Sequence, residues 1–106
     1  MLGQRRLIPS TSMLLAFEAS ARNGSFTEAA QELNLTQGAI SRQVNALENQ
    51  LGILLFRRIK KTIELTDTGK IYAKEIADSL RSIRNASLNA MSDTQGKTLN
   101  LAILPT

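Results

Sequence analysis

The sequence predicts a mainly α-helical fold in which three short helices are followed by a two-stranded hairpin and one long helix. Three observations support this prediction. Apolar residues recur every three or four positions over residues 10–51, which is the period of amphipathic helices. Over residues 53–65 that period gives way to short segments rich in branched residues, as in strands. From Asp67 a helical pattern returns and continues to about Met91.

The first two helices are marked by start and stop signals. Pro9 and the serine-rich stretch after it start the first helix, and Gly24 ends it. Ser25 and Glu28 fit a capping box, in which each side chain accepts a hydrogen bond from the backbone N–H of the other, so a second helix begins at once. Asn34 ends this helix, because Asn tolerates the left-handed backbone conformation of a tight turn.

The third helix has one apolar face and one polar face. Thr36 is a suitable N-cap, and Gly52 stands where the C-terminal glycine of a helix is common. At about 100° per residue, the apolar residues fall within about 40° of one another. These residues are Ile40, Val44, Leu47 and Leu51. Off this stripe lie Gln37, Gly38, Ser41, Arg42 and Asn45. The polar face is either a solvated surface or a surface that recognises a partner.

Two strands are predicted next, over residues 53–58 and 62–65. The connecting turn lacks the Gly or Asn that would fix its type. The stretch from Phe56 to Lys61, FRRIKK, carries four cations in six residues. Such a hairpin either protects an exposed sheet edge from aggregation or binds a polyanion.

The long helix is expected to begin at the cap formed by Thr66 and Asp67. Gly69 in its first turn should weaken it slightly, and Ile71 and Tyr72 should pack against the preceding domain. An apolar seam with 3-4-3 spacing, typical of helix pairing, runs along its length. It consists of Ala73, Ile76, Leu80 and Ile83, with a weaker continuation at Ser87 and Ala90. We expect this seam to pair with the same helix of a second subunit, forming a homodimer.

The tail is predicted to be a polar linker followed by a strand in residues 97–104. The predicted organisation is therefore a domain of three helices and a hairpin over residues 1–66, a linker and dimerisation helix over 67–92, and a hinge with the first strand of a further domain over 93–106.

Composition limits the possible functions. The net charge of +4 and the pI near 10.0 suggest a polyanionic partner. The chain contains no Cys and no His, which excludes disulfides and thiolate metal sites and removes the commonest general base. We therefore expect no enzyme and no metal or cofactor in this segment. No apolar run reaches the length of a membrane span, and the N-terminus has no signal-peptide core, which predicts a cytoplasmic protein.

Two helices joined by a short turn and followed by a hairpin form the layout of a winged helix-turn-helix. The polar face of the third helix would enter the major groove of DNA, where Asn and Gln can contact adenine and Arg can contact guanine. The start of that helix favours a phosphate, and the hairpin, or wing, over residues 57–62 would contact phosphates and a minor groove. The predicted DNA-binding residues are Thr36, Gln37, Gly38, Ser41, Arg42, Asn45, Arg57, Arg58, Lys60 and Lys61. The alternatives are a protein-interaction module and an RNA-binding module.

The motifs SFTEAAQEL, LTQGAISRQV, LENQLGILLF and LTDTG occur in this order. With them, residues 8–92 resemble the N-terminal domain of LysR-type transcriptional regulators, and IPSTSMLLAFEASAR is similar to the subgroup that includes the glycine-cleavage and β-lactamase activators. This resemblance implies a homodimeric regulator, tetrameric when full length, that binds interrupted palindromes at promoters, with RNA polymerase as a further partner. It also implies a C-terminal domain that senses a small-molecule effector, of which residues 97–104 would be the first strand.

The resemblance further assigns roles to individual residues. Gln37, Ser41 and Arg42 would contact bases or phosphates, and Arg58 would be the wing residue directed to the minor groove. Two positions depart from the family pattern. Gly38 stands where the family often has Ser or Pro, which predicts a gap in the contact surface. Arg57 stands where the family has an acidic or polar residue, which predicts a more strongly charged wing.

Overall fold

The computed structural model describes residues 7–98, with side chains described for residues 7–93. Four helices and two strands follow one another along the chain: α1 (Thr11–Asn23), α2 (Phe26–Leu33), α3 (Gln37–Leu51), β1 (Phe56–Ile59), β2 (Thr62–Leu65) and α4 (Asp67–Thr98). The strands pair antiparallel, with Phe56 opposite Leu65 and Ile59 opposite Thr62. The predicted mainly helical fold with a two-stranded wing is confirmed.

Polar caps fix the ends of the short helices, as predicted. The hydroxyls of Ser10, Ser25 and Thr36 each accept a hydrogen bond from the backbone N–H three residues later. Gly24, Asn34 and Gly52 end the same helices with positive φ angles of 67°, 57° and 73°. Each N-cap is worth about 1 kcal/mol, so the short turns between α1, α2 and α3 are specified by the local sequence.

The four aromatic residues of the chain form one cluster at the centre of the compact unit, which extends to Ile76. The ring of Phe56 meets those of Phe17 and Phe26 edge-on, at centroid distances of 5.6 and 5.7 Å. Tyr72, from the start of α4, lies 5.5 Å from the ring of Phe17. Ile40, Val44, Leu47 and Leu55 complete the fully buried core around these rings. The wing and the start of α4 are therefore anchored to the three short helices.

A charged network joins α1 to α2. The Arg22 guanidinium donates hydrogen bonds to both carboxylate oxygens of Glu18 and both of Glu32, at 2.7–3.0 Å. Asn23 Nδ2 also donates to Glu32 Oε1 at 3.0 Å. These hydrogen bonds, chiefly from Arg22, lower the pKa of Glu32 from 4.5 to about 2. They raise the pKa of Arg22, so both groups stay charged throughout the physiological range.

The first strand begins at Phe56, three residues later than predicted. The predicted start at residue 53 is wrong, because the loop before Phe56 is hydrogen-bonded to α3 instead of to a strand: Ile53 N–H donates to Glu48 O at 3.2 Å. The backbone N–H groups of Leu55 and Phe56 donate to the Glu48 carboxylate, at 2.8 and 3.1 Å. Ile53 and Leu54 precede this anchor and are exposed.

Gly69 is required by the close packing around it, a reason that the predicted mild cost to the helix did not include. A Cβ at this position would lie 2.1 Å from the backbone oxygen of Leu55 and 3.1 Å from a methyl carbon of Leu65. The capping residue Thr66 reinforces the same junction. Its N–H donates to Leu55 O at 3.0 Å, and its hydroxyl donates to Leu54 O at 2.9 Å and accepts from Gly69 N–H at 2.9 Å. The start of α4 is thus pressed directly against the loop before the wing.

The long helix differs from its prediction in two respects. It continues to Thr98 rather than ending near Met91, so the predicted polar linker is helical up to that residue. The extension has no Pro, and its single Gly96 costs only about 1 kcal/mol, which does not stop a helix. Ile71 is 64% exposed, and only its neighbour Tyr72 packs inward as predicted. The strand predicted for residues 97–104 lies outside the described residues except for the helical Lys97 and Thr98, and the predicted domain boundaries stay predictions.

Candidate nucleic-acid interface

Helix α3 presents its polar side to solvent and buries its apolar side. Ile40, Val44 and Leu47 are fully buried, and Leu51 is half-buried. On the opposite side, Gln37, Gly38, Arg42 and Asn45 are exposed, and Ser41 is half-buried. The sequence-predicted contact residues of α3 therefore lie together on one accessible face.

The start of α3 offers backbone donors beside this face. The Thr36 hydroxyl accepts the Ala39 N–H at 3.1 Å, and the Thr36 carbonyl accepts the Ile40 N–H at 3.1 Å. The amides of Gln37 and Gly38 come before the first intrahelical hydrogen bond. Because these amides add to the positive end of the helix dipole, this terminus has the donors and the potential that a phosphate oxygen requires.

Gly38 provides the surface on which the Arg42 side chain lies. A Cβ built on Gly38 would be 3.4 Å from Arg42 Nη1, which is ordinary van der Waals contact. The guanidinium thus lies over the first turn of α3, close to the backbone. This placement replaces the predicted gap at Gly38 with a charged group that reaches back from the next turn.

The wing exposes all four of its cations. The two-residue turn consists of Lys60 and Lys61, and the Thr62 hydroxyl closes it by donating to Ile59 O at 2.8 Å. Lys60 has a φ of 57°, a left-handed conformation that disfavours an L side chain by about 1–2 kcal/mol. Among the described residues, the side chains of Arg57, Lys60 and Lys61 make no hydrogen bond or ion pair. These three cations are available to a partner.

Arg58 differs from its neighbours because its side chain is held against the helices. Its Nη2 donates to Asn45 Oδ1 at 2.8 Å, and its Nη1 lies 3.7 Å from Glu48 Oε1. The guanidinium carbon also lies 5.4 Å from the ring centre of Phe26, within cation–π distance. To reach DNA through the minor groove, as the sequence predicts, Arg58 would have to give up these contacts.

Glu48 is the residue of this site that sequence reasoning missed. It is only 6% exposed, although it lies on the helix whose other face is solvated. One carboxylate oxygen accepts the N–H groups of Leu55 and Phe56 at the start of the wing, and the other faces Arg58. The sequence held a signal for this role, because Glu48 falls about 40° from Val44 around the helix, within the apolar stripe. A charge in that position must be paired to be buried.

An open groove of about 530 Å³ adjoins this anchor. Its lining combines the polar side chains Asn45, Asn49, Glu48 and Arg58 with the exposed apolar side chains Ile53 and Leu54. Within residues 7–93, whose side chains are described, no cluster of acidic side chains could hold a metal ion. No helix of the described part is long and apolar enough to cross a membrane.

Comparison with known proteins identifies the family. The family model described as "Bacterial regulatory helix-turn-helix protein, lysR family" matches residues 11–70. The chain belongs to the LysR family. The resemblance found in the sequence is confirmed, and this LysR-type chain is similar to the glycine cleavage system transcriptional activator homolog of Haemophilus influenzae, at 40% identity over 96 residues. It is also similar to the HTH-type transcriptional regulator BlaA of Proteus vulgaris, at 55% identity over 58 residues.

The coverage shows which part of such proteins this LysR-type chain represents. The Haemophilus alignment covers 91% of the chain but 32% of the relative, and the BlaA alignment covers 55% and 20%. The chain thus spans about a third of the length of the Haemophilus relative. Among solved structures, the DNA-binding domain of CbnR in complex with DNA superposes with a TM-score of 0.70 at 30% identity, over 77% of this chain and 94% of that domain. The BenM domain bound to its benA site 1 DNA superposes with a TM-score of 0.73 at 28% identity, over 79% of this chain and 94% of the BenM domain. The chain is therefore a LysR-type winged-helix domain.

Proposed function

We propose that this chain binds duplex DNA in a sequence-specific manner as the DNA-binding part of a transcriptional regulator. The observation that carries the proposal is the division of α3 into a fully buried apolar stripe and an exposed polar face. That face bears amide and guanidinium groups, which suit base edges in a major groove. The CbnR and BenM domains, which share the fold, were solved in complex with DNA.

Each predicted contact residue receives a role from its position. Gln37, Ser41 and Arg42 face the major groove, and the amides after Thr36 receive a phosphate. Lys60 and Lys61 at the tip of the wing bind phosphates. Of the two wing arginines, Arg57 is the one that enters or borders the minor groove, because its guanidinium has no partner to release among the described residues, whereas that of Arg58 has three.

The seam of α4 supports a homodimer. Leu80 is half-buried, and Ile83 is 61% exposed. Further along the helix, Leu88 and Met91 are also exposed over more than half of their surface. A second copy of the helix would cover these apolar side chains and would relate two recognition helices by a twofold axis. An interrupted palindrome is the DNA sequence that such a dimer reads. In the whole regulator we propose a tetramer in the cytoplasm, with a C-terminal effector domain and RNA polymerase as a partner at the promoter.

The rival RNA-binding function lacks a stacking surface. RNA-binding modules stack unpaired bases on exposed aromatic rings. All four aromatic side chains of this chain pack against one another, and three of them are buried. A protein-interaction role would be favoured only if no duplex were selected in the following experiment.

The test is selection of bound sequences from random duplex DNA, followed by affinity measurements at several salt concentrations. Arg42→Ala should cost about 1–3 kcal/mol and relax the sequence preference at one position of each half-site. Arg84→Ala, an exposed arginine on the outer part of α4, is the matched control and should leave the preference intact. If the Arg42 variant bound every duplex as well as wild type, the assignment of α3 as the recognition helix would be wrong.

The wing and the seam are tested separately. Replacing Lys60 and Lys61 with Ala should weaken binding to all duplexes alike and reduce the salt slope by about 2. Leu80→Asp with Ile83→Asp should yield monomers in analytical ultracentrifugation. Ser82→Asp adds a charge off the seam and is the control. A dimer that survived the double substitution would exclude pairing through this seam.

A further inference from the structure

We infer that Asn45 recognises hydrogen-bond acceptors on DNA bases through its Nδ2 group alone, because Arg58 and Glu48 hold its amide in one orientation. This inference deepens the proposed function and rests on it. It replaces the bidentate adenine contact that an unrestrained Asn would offer with a preference for guanine. Three observations lead to it: the identity of the atom that faces Arg58, the way Arg58 is held, and the donor pattern that remains.

The first observation fixes which end of the Asn45 amide points toward the wing. Arg58 Nη2 lies 2.8 Å from Asn45 Oδ1. A guanidinium has five donors and no acceptor, so only the oxygen of the amide can face it. Nδ2 points away from this bond because the two atoms stand on opposite sides of the same carbon, and among the described residues it makes no hydrogen bond. The side chain therefore presents a donor without a partner.

The second observation is that Arg58 is itself held in place. Its guanidinium lies between the Glu48 carboxylate, at 3.7 Å, and the Phe26 ring, at 5.4 Å. Glu48 is buried and bound by the N–H groups of Leu55 and Phe56. The buried backbone amides thus hold Glu48, Glu48 holds Arg58, and Arg58 holds the amide of Asn45 in its orientation. Turning the amide over would bring Nδ2 against the cation and would break a charge-assisted hydrogen bond.

The third observation concerns the chemistry of base edges. A bidentate contact with adenine needs an acceptor for the N6 amino group and a donor for N7. With its oxygen committed to Arg58, Asn45 offers only the donor. Guanine presents two adjacent acceptors in the major groove, O6 and N7, so both hydrogens of one NH₂ group can be used. Adenine N7 and thymine O4 each offer a single acceptor, and the N6 amino group beside adenine N7 repels a second donor. Arg58 and Glu48 act here as positioning residues, since they determine which bases Asn45 accepts without contacting them.

Asn45→Asp tests the inference with almost no change of shape. The oxygen that faces Arg58 is kept, and the outward NH₂ becomes an oxygen that accepts instead of donating. Sequences selected from random duplexes by the 106-residue chain should change at one position of each half-site, from guanine to cytosine, whose N4 amino group is a donor. Asn45→Ala should lose the preference at that position and weaken binding about threefold to tenfold.

Asn49→Asp is the matched control. Asn49 is exposed and lies one turn further along α3, and its substitution by Asp changes the charge by the same amount. It should weaken binding through charge repulsion and leave the selected sequence unchanged. A second variant, Arg58→Met, frees the oxygen of Asn45 for the bidentate contact and should shift the preference at the same position from guanine toward adenine. Circular dichroism verifies that this variant is folded.

The outcomes separate this inference from the proposed function. If the wild-type chain selects no consensus, the proposed function fails. If it selects adenine in preference to guanine at the position whose preference Asn45→Ala removes, the inference alone is overturned. The same conclusion follows if Asn45→Asp weakens all sequences to the same degree as Asn49→Asp without changing any base, because Asn45 would then contact phosphate or solvent.

Discussion

Replacing Gly69 with Ala should destabilise the domain, although Ala is the better helix former. The added Cβ would lie 2.1 Å from the Leu55 backbone oxygen, well inside van der Waals contact. The obstacle is backbone rather than the end of a flexible side chain, so α4 or the loop before β1 must move by about 1 Å or more. That movement also strains the hydrogen bonds by which Thr66 joins the helix to Leu54 and Leu55.

The magnitude follows from these contacts. Overpacking a buried site costs about 1–3 kcal/mol, and each weakened hydrogen bond adds about 0.5–1.5 kcal/mol. The gain in helix propensity from Gly to Ala, about 1 kcal/mol, offsets part of this cost. We expect a net loss of about 2–3 kcal/mol in the free energy of unfolding, which corresponds to a decrease in Tm of about 10–20 °C for a domain of this size.

The fluorescence of Tyr72 is a suitable signal for urea unfolding, because the chain has one Tyr and no Trp and this ring packs on Phe17 in the compact unit. Gly38→Ala is the matched control. Gly38 also lies in the first turn of a helix, but its added Cβ would make only ordinary contact with Arg42 at 3.4 Å. The free energy of unfolding of this variant should be about 0.5–1 kcal/mol higher than that of wild type. Equal effects of the two substitutions would refute the reasoning about the close approach at Gly69.

Three further predictions concern stability. Ser20→Ala should be neutral or stabilising by about 1 kcal/mol in urea unfolding, since the fully buried Ser20 hydroxyl has no hydrogen-bond partner among the described residues; a clear loss would reveal a partner. Glu32→Gln should remove the stabilisation that the ionised Glu32 carboxylate gives to the folded state. That stabilisation is complete above pH 4.5, the ordinary pKa of Glu, and is lost as the pH falls toward about 2, the pKa in the folded protein. The free energies of unfolding of wild type and variant, measured as a function of pH, should therefore converge at low pH. Because this pair is exposed, the difference at neutral pH should stay below about 1 kcal/mol. Lys60→Gly should stabilise the chain by about 1 kcal/mol by relieving the left-handed turn, while weakening DNA binding in a titration; tighter binding would contradict a phosphate contact there.

The sequence predicted the helices of the recognition region well because their signals are local. Ser25, Thr36 and Gly52 act on neighbouring backbone groups, so their capping roles could be inferred without knowledge of the fold. The stripe from Ile40 to Leu47 was likewise predictable from its period.

The errors arose where residues distant in sequence meet. The loop before β1 is hydrogen-bonded to Glu48 rather than to a strand, and Gly69 is needed because the backbone oxygen of Leu55 lies against it. The place of Glu48 in the apolar stripe indicates that its charge must be paired, but no periodic pattern indicates the partner in either contact. The partnership of Arg58 with Asn45 was hidden for the same reason, since thirteen positions and a loop separate them. Asn45 and Arg58, which the sequence predicted as separate DNA contacts, are hydrogen-bonded to each other.

The anchoring of the wing through Glu48 has a mechanical consequence. The carboxylate belongs to α3, and the amides it binds are those of Leu55 and Phe56 at the start of β1, so α3 and the wing are joined by two buried hydrogen bonds to a charged group. The separation between the groups that would enter two neighbouring grooves is then set by the protein. A duplex whose groove widths do not match that separation must itself bend or twist to be bound. Base steps that never touch the protein would therefore influence affinity through the energy needed to deform them.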